Sequence, residues 1–101
     1  VENAFLRGHQ FRDRLKKLGE ESELVKKIRG KGLLNAIVID DDEDSSTAWD
    51  ICMKMKDNGL IAKPTHGNII RFAPPLVISE TEVDESCEII EQSIKEFSKS
   101  N

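Results

Sequence analysis

A nearly continuous apolar run at residues 33–39 restricts the possible folds of this chain more strongly than any other segment. Only Asn35 interrupts the run, and most of its side chains are branched. Such runs are typical of strands that are buried on both faces. No apolar run in the chain approaches the length that crosses a bilayer. We therefore predict a buried strand within a globular domain.

The segment before this run contains Gly30, Lys31 and Gly32, and it has two interpretations. The glycines form either a hairpin turn between two strands or a bulge within one long strand. Because they alternate, both lie on the same face of an extended chain, and we predict one kinked strand. A phosphate-binding loop is rejected, because such loops lead into a helix and here an apolar strand follows.

Two segments in the first sixty residues have the apolar spacing of helices. The first is predicted to end at Gly19, and its apolar face comprises Ala4, Phe11, Leu15 and Leu18. The second is predicted over residues 46–58, with Asn58-Gly59 as its stop signal. Its apolar stripe comprises Ala48, Ile51, Cys52 and Met55, and we expect Trp49 and Met53 to widen it.

A capping box marks the start of the last helix. Ser79 occupies the N-cap position and Glu82 the N3 position, while Ile78 and Val83 occupy the two positions of a hydrophobic staple. The apolar face that follows comprises Val83, Cys87, Ile90, Ile94 and Phe97. This pattern predicts a long amphipathic helix that covers a core.

Two short strands are predicted between the second and third helices, at residues 60–63 and 69–72. Turn residues 64–68 separate them, and Pro74-Pro75 ends the second strand because proline cannot donate to a ladder. The predicted order is helix, strand, helix, strand, strand, helix. This order favours a two-layer α/β (α+β) sandwich, with helices on one face of a small sheet.

Length and charge favour one small domain with no nucleic-acid partner. The chain has 101 residues and a formal net charge of -4, so no basic field dominates it. No secretory signal opens the sequence, and Cys52 and Cys87 are expected to be buried, reduced thiols of an intracellular protein. The first residue is Val1 rather than Met, and we expect a fragment of a longer protein.

Arg71 is the one suggestive functional residue, because it interrupts an apolar strand. It either faces water in an alternating strand or binds a carboxylate through two parallel hydrogen bonds. His66 has no nearby acid or second histidine and is expected to be a solvated turn residue. Lys63 and Lys31 show no sign of the desolvation that a reactive lysine requires. The cysteines share no metal-ligand spacing with the histidines.

Two segments resemble the ornithine aminotransferases. They are residues 28–39, which contain Arg-Gly-Lys-Gly-Leu-Leu, and residues 57–76, which contain Ala-Lys-Pro-Thr-His-Gly followed by Ile-Arg-Phe-Ala-Pro-Pro-Leu. The first motif also occurs in related aminotransferases, whereas the second combination is more specific. The resemblance covers essentially the whole chain.

The resemblance implies a class III, fold type I pyridoxal-phosphate enzyme. In such enzymes a large domain holds the cofactor, and a C-terminal small domain, here residues 1–101, is a short antiparallel sheet covered by helices. The implied enzyme is a homodimer that transfers the δ-amino group of ornithine to 2-oxoglutarate, giving glutamate semialdehyde and glutamate. Its expected location is intracellular, in the mitochondrial matrix or the cytoplasm. No nucleic acid or membrane is expected as a partner.

The resemblance assigns a substrate role to Arg71. It is expected to bind the carboxylate of 2-oxoglutarate or glutamate, and to pair with a large-domain glutamate when ornithine is bound. The catalytic lysine and the groups that bind pyridoxal phosphate lie upstream in the family, so we expect the fragment alone to be inactive, with no catalytic, cofactor or metal site. Two alternatives remain open: a transaminase of acetylornithine or 4-aminobutyrate, and a free-standing non-catalytic α/β binding module.

Overall fold

Three helices and four strands form the chain. The computed structural model describes residues 2–32, 34–65, 68–73 and 78–100, except the side chains of residues 99 and 100. The elements are α1 (Glu2–Glu21), β1 (Val25–Lys31), β2 (Leu34–Ile39), α2 (Thr47–Asp57), β3 (Lys63–Thr65), β4 (Ile69–Phe72) and α3 (Glu80–Ser100). The strand order is β1-β2-β4-β3, and every neighbouring pair is antiparallel. The predicted class, a small antiparallel sheet with helices, is confirmed.

The core lies between the sheet and the helices. Helices α1 and α2 contact the strands, and α3 packs against both of those helices. In β2 the residues that face the helices are Asn35, Ile37 and Ile39, all buried. In β4 the corresponding residues are Ile70 and Phe72. The opposite face of the sheet, which we call the open face, is not covered by any described helix.

Residues 25–39 form a hairpin, so the prediction of one kinked strand is wrong. Lys31 pairs with Leu34 across the turn, and Gly32 has a φ of +59°, a left-handed conformation that favours glycine. Gly32 therefore reverses the chain, while Gly30 lies within β1 opposite Asn35. The apolar run becomes β2, which is central and pairs with β1 on one side and β4 on the other.

Helix α1 holds the hairpin turn in place. The Arg12 guanidinium Nη1 donates to the Gly32 carbonyl oxygen at 2.7 Å and to Asn35 Oδ1 at 2.9 Å. Gly8 is buried where α1 meets the turn, and a Cβ at this position would overlap the Gly32 carbonyl. The helix continues through Gly19 to Glu21, so the predicted stop is wrong. The reason is that Ser22 N–H still bonds to the Leu18 carbonyl at 2.9 Å, which extends the helical pattern past Gly19.

Helix α2 begins and ends within one residue of the predicted bounds, and Ser46 and Asn58 are its caps, but its buried face is narrower than predicted. Its core stripe is buried as expected, whereas Trp49 is 55% and Met53 37% exposed. With about 3.6 residues per turn, these two positions are rotated away from the stripe. The expectation that they widen the buried face is therefore wrong.

Strand β3 runs from Lys63 to Thr65 instead of over the predicted residues 60–63, so its last two residues lie in the predicted turn. The Leu60 amide donates to the Met55 carbonyl at 2.8 Å, so it caps α2 and is not free to pair in the sheet. Pro64 lies within β3, where a missing N–H is tolerated because β3 is an edge strand. Strand β4 has the predicted bounds, and Pro74 and Pro75, predicted to end it, lie outside the described residues.

The capping box of α3 is confirmed. Glu82 N–H donates to Ser79 Oγ at 3.1 Å, and Ser79 N–H donates to Glu82 Oε1 at 3.0 Å. These bonds lower the pKa of Glu82 below its usual 4.5. Ile78 and Val83 are buried, as are Cys87, Ile90 and Ile94 of the predicted apolar face, with Phe97 packed against the cluster. In the part of the chain that the structure describes, no helix combines the length and apolar character of a membrane span.

The close approach of α1 to the hairpin turn gives a stability prediction. Gly8→Ala is expected to lower the free energy of unfolding by about 1–3 kcal/mol, because the added methyl group overlaps the Gly32 carbonyl. Urea unfolding followed by circular dichroism measures this change.

Gly19→Ala is the matched control in the same helix. Its Cβ would lie 3.4 Å from Val25 Cγ1, an ordinary contact. This variant should be as stable as the parent or gain up to about 1 kcal/mol, since alanine loses less backbone entropy than glycine. Equal effects of the two substitutions would contradict the packing described for Gly8.

Candidate functional site

A row of basic residues crosses the open face of the sheet. Arg29 in β1 pairs with Ala36 in β2, Ala36 pairs with Arg71 in β4, and Arg71 pairs with Lys63 in β3. Directly paired residues share a face, so all four side chains project from the same side. We call Arg29, Arg71 and Lys63 the cationic row; all three are exposed.

A β-bulge adjusts the register of β1. The pairing shifts between Val25 and Lys27, so both Val25 and Ile28 face the helices although they are three residues apart. Lys27, Arg29 and Lys31 then face the opposite side. The helical layer thus receives the apolar residues of β1, and the open face receives its cations.

The cationic row borders an open cavity of about 430 Å³. Thr65 also lines the cavity, and Leu34 and Ile61 form part of an apolar rim. Those two side chains are 59% and 84% exposed. Of the described residues that line this cavity, none is acidic. The cavity therefore combines several positive charges with apolar surface, which suits a small anion with a carbon skeleton.

Arg71 lies near the centre of this arrangement. Its neighbours Ile70 and Phe72 are buried in the core and hold the strand, while Arg71 itself projects from the open face. The strand alternates as the sequence suggested. A guanidinium on a rigid strand can present two parallel N–H donors to a carboxylate. The carboxylate-binding role of Arg71 stays a prediction.

The remaining candidates occupy separate positions. Lys63 and Lys31 are exposed, as expected for solvated lysines, and His66 lies outside the described residues. Cys52 and Cys87 are free and buried, as predicted, and burial raises the pKa of each thiol to about 11. Among the residues with described positions, no group of three or more His, Cys, Asp or Glu is arranged to hold a metal ion.

Arg29 is the residue that sequence reasoning missed. Arg29 comes to lie opposite Ala36 only because residues 25–39 form a hairpin. In one kinked strand, the two residues would not be paired. The alternation of Arg29 with the lysines at 27 and 31 was a usable signal, since three cations at every second position mark one face of a strand.

The residues present do not fit a site for pyridoxal phosphate, the cofactor that the resemblance implies. A Schiff-base lysine needs desolvation or a charged neighbour that lowers its pKa. Every lysine with a described side chain is exposed, except the half-buried Lys54 on α2. Lys63 has a cationic neighbour, Arg71, directly opposite it on β4, but its side chain is open to solvent. None of the described lysines is therefore enclosed as a cofactor-binding lysine must be.

Comparison with known protein families and sequences gives one consistent match. The class III aminotransferase family model matches residues 1–94. The mitochondrial ornithine aminotransferase of Drosophila melanogaster is 55% identical over 94 residues, which cover 93% of this chain and 21% of that protein. The mitochondrial ornithine aminotransferase of Rattus norvegicus is 55% identical over 97 residues, or 96% of this chain and 21% of that protein. The chain thus spans about a fifth of these relatives.

Solved structures show the same similarity in three dimensions. The acetylornithine aminotransferase from Elizabethkingia anophelis superposes with a TM-score of 0.92 and 57% identity, over 94% of this chain and 25% of that one. The ornithine delta-aminotransferase of Plasmodium falciparum superposes with a TM-score of 0.88 and 41% identity, over 99% and 26% of the two chains.

The two buried thiols give a prediction about reactivity. With a pKa of about 11, roughly one thiol in a thousand is ionised at pH 8, and the thiolate is the reactive form. A chromogenic disulfide reagent should therefore leave the folded chain almost unmodified while it reacts at once with free glutathione. In denaturant, both cysteines should react. Rapid modification of either thiol in the folded chain would contradict their burial.

Proposed function

This chain belongs to the class III aminotransferases, and on that premise we propose that residues 1–101 are the C-terminal small domain of an ornithine aminotransferase. The support is its 55% identity to the ornithine aminotransferases of fly and rat over nearly its whole length. Members of the family generally depend on pyridoxal phosphate. We assign the cofactor to the large domain of the same enzyme, because the residues described here do not fit it.

The proposed reaction moves the δ-amino group of ornithine to 2-oxoglutarate. The products are glutamate semialdehyde and glutamate. The proposed enzyme is a homodimer in the mitochondrial matrix or the cytoplasm, and both curated relatives described above are named as mitochondrial. The open face would meet the large domain, which would cover the exposed apolar rim at Leu34 and Ile61.

Arg71 carries the proposed chemistry of this domain. Its exposed side chain borders a cationic cavity, and it would bind the substrate carboxylate of 2-oxoglutarate or glutamate. When ornithine is bound, a glutamate of the large domain would pair with Arg71 instead. An unpaired guanidinium is costly in a closed, desolvated site, so an anion is required in both states. One pocket could then accept substrates that end in an amine or in a carboxylate.

A second candidate is a transaminase of acetylornithine. The acetylornithine enzyme of Elizabethkingia anophelis is 57% identical to this chain, which is as high as the identity to the fly and rat ornithine enzymes. The residues that would separate the two substrates lie in the large domain. Turnover of ornithine and of N-acetylornithine, compared in one enzyme preparation, distinguishes them.

A chimaera tests the proposal and the role of Arg71. The matched segment of the Drosophila melanogaster ornithine aminotransferase is replaced by this chain, and the chimaera should transaminate ornithine with 2-oxoglutarate. Arg71→Lys loses the planar fork, so the 2-oxoglutarate half-reaction should slow about tenfold to a hundredfold, with a smaller loss for ornithine. Stopped-flow recording of cofactor absorbance measures each half-reaction.

Arg14→Lys provides the control for this substitution. It makes the same chemical change in the helical layer, where Arg14 pairs with Asp84 at 2.9 Å. Both half-reactions should keep their rates. Equal losses in the two half-reactions of Arg71→Lys would argue against the carboxylate role, and an inactive parent chimaera would argue against the proposed function.

The isolated chain should neither hold pyridoxal phosphate at one position nor transaminate. Borohydride reduction in the presence of the cofactor, followed by peptide mass mapping, should show scattered and substoichiometric labelling of exposed lysines. Stoichiometric labelling of one residue, such as Lys63, would reveal a cofactor site within this chain and would refute the assignment to the large domain.

A further inference from the structure

The pair Asn58-Gly59 at the end of α2 is a chemically labile sequence. Of the asparagines in the chain, only Asn58 is followed by glycine. In such a pair, the backbone nitrogen of the glycine can attack the side-chain carbonyl carbon of the asparagine, because glycine has no Cβ to hinder the approach. The ring that forms expels ammonia and then opens to aspartate or isoaspartate. The conformation of the pair in the fold therefore determines how fast this asparagine is lost.

Helix α3 holds the side chain of Asn58. Its Nδ2 donates to Ser93 Oγ at 3.1 Å and to Glu96 Oε1 at 3.0 Å, so both hydrogens of the amide are engaged. Ser93 is fully buried, and its hydroxyl donates to the Ile89 carbonyl at 2.7 Å, which leaves its oxygen as the acceptor for Asn58. The bond from Asn58 also lowers the pKa of Glu96 below its usual 4.5. We call Asn58, Ser93 and Glu96 the amide clamp.

The backbone of the pair is also held away from the geometry of ring closure. Asn58 has a ψ of 4°, which places the Gly59 nitrogen about 120° away from Asn58 Cβ around the Cα–C bond, because Cα is tetrahedral. The ring closes only when that nitrogen is rotated towards Cβ. The Gly59 N–H also donates to the Lys56 carbonyl at 3.0 Å, and this bond must break before the nitrogen can attack. Cyclisation therefore requires that the clamp release and that the end of α2 open.

Termination of α2 is an alternative explanation for the pair. Gly59 has a φ of +101°, a left-handed conformation that favours glycine, so the end of the helix requires it. Asn58 has a φ of −91°, which is ordinary for any residue, and its backbone N–H donates to the carbonyls of Lys54 and Met55 without help from the side chain. Helix termination thus explains Gly59, whereas the side chain of Asn58 is explained by its bonds to α3.

We propose that Asn58 is a deamidation site that the amide clamp keeps unreactive, and that deamidation prevents the clamp from re-forming. When the clamp opens, the Gly59 nitrogen loses its proton to hydroxide and bonds to Asn58 Cγ. The bond from Cγ to Nδ2 breaks, and Nδ2 takes up a proton and leaves as ammonia. Water then opens the succinimide ring at either of its carbonyl groups, which gives aspartate or isoaspartate at position 58.

The product lacks the properties that hold the clamp together. A carboxylate at position 58 has no N–H to donate, and it would lie against the carboxylate of Glu96, where like charges repel each other. Isoaspartate also lengthens the backbone next to Leu60, whose N–H closes the end of α2 on the Met55 carbonyl. Residues 59–62 connect α2 to β3, so the change reaches the strand that carries Lys63. This inference does not depend on the proposed function.

The experiment follows aspartate and isoaspartate at position 58 by peptide mass mapping, during incubation of the 101-residue chain in mildly alkaline buffer. Deamidation should be at least about thirtyfold slower in the folded chain than in guanidinium chloride, because opening breaks one neutral and one charge-assisted hydrogen bond. In the folded chain, Glu96→Ala should accelerate it at least about tenfold and Ser93→Ala about twofold to tenfold. In denaturant, all variants should react at one rate.

Two controls separate the clamp from general effects. Glu88→Ala removes an exposed carboxylate from the same helix, and it should deamidate at the rate of the parent. Gly8→Ala lowers the stability of the domain without touching the clamp, and its rate should also stay close to that of the parent. Equal acceleration by Gly8→Ala and Glu96→Ala, equal rates in the folded and denatured parent, or no effect of Glu96→Ala would overturn the proposal.

A reversed pair tests the effect of the product. Asn58→Asp imitates deamidation and should lower the denaturant midpoint. Glu96→Gln added to this variant should restore part of the loss, because the glutamine amide can donate to the new carboxylate. Glu96→Gln alone is the control and should stay close to the parent, since its amide oxygen still accepts from Asn58. A double variant no more stable than Asn58→Asp would refute the proposed effect of the product.

The chimaera replaces the isolated chain if the 101 residues do not fold by themselves. The same variants are then compared by peptide mass mapping and by thermal unfolding of the chimaera. A folded chimaera that deamidates at position 58 as fast as its denatured form would overturn the proposal. Slow deamidation that Glu96→Ala accelerates and Glu88→Ala does not would support it, whether or not the chimaera is an active transaminase.

Discussion

The pairing of β2 between β1 and β4 determines the rest of the structure. This strand carries Ile37 and Ile39 into the core on one face and holds Ala36 on the other. Because residue faces alternate with a period of two, one shift of register would exchange the two sets. The same ladder that buries the isoleucines therefore brings Arg29, Arg71 and Lys63 into one row. Core packing and the candidate site are consequences of a single register.

The register in turn depends on a contact between residues far apart in sequence. Arg12 donates to the carbonyl of Gly32 and to the buried side chain of Asn35, so α1 closes over the hairpin turn. Asn35 is the one polar residue of the apolar run, and this bond compensates its burial. The absence of a side chain at Gly8 allows the helix to approach that closely. Asn35, the polar residue within β2, thus holds α1 against the sheet through its bond to Arg12.

The sequence predicted those features correctly that depend only on residues close together in the chain. The capping box of Ser79 and Glu82 is such a case, and so are the bounds of β4 and, to within one residue, those of α2. The two glycines allowed either a hairpin or one kinked strand, and the choice depends on distant contacts such as the bond from Arg12 to the Gly32 carbonyl, which no local pattern reveals. The late start of β3 reflects competition for the Leu60 amide by the end of α2.

The candidate site was predictable only in part, for the same reason. Arg71 attracted notice as a charge among apolar residues, and the alternation of β4 places it on the open face. Arg29 is brought into the same row as Arg71 only by the pairing of β1 with β2 and of β2 with β4. A row across a sheet is a property of register, and the sequence of a single strand does not contain it.

The composition of the two edge strands has a consequence for the solubility of the domain by itself. Pro64 offers no N–H at the β3 edge, and the β1 edge is bulged and rich in lysine. Both features oppose the strand-by-strand growth that leads to fibrous aggregates. The exposed apolar side chains of Leu34 and Ile61 are a separate site for non-specific hydrophobic contacts. Extension of the sheet from either edge is therefore disfavoured in this chain.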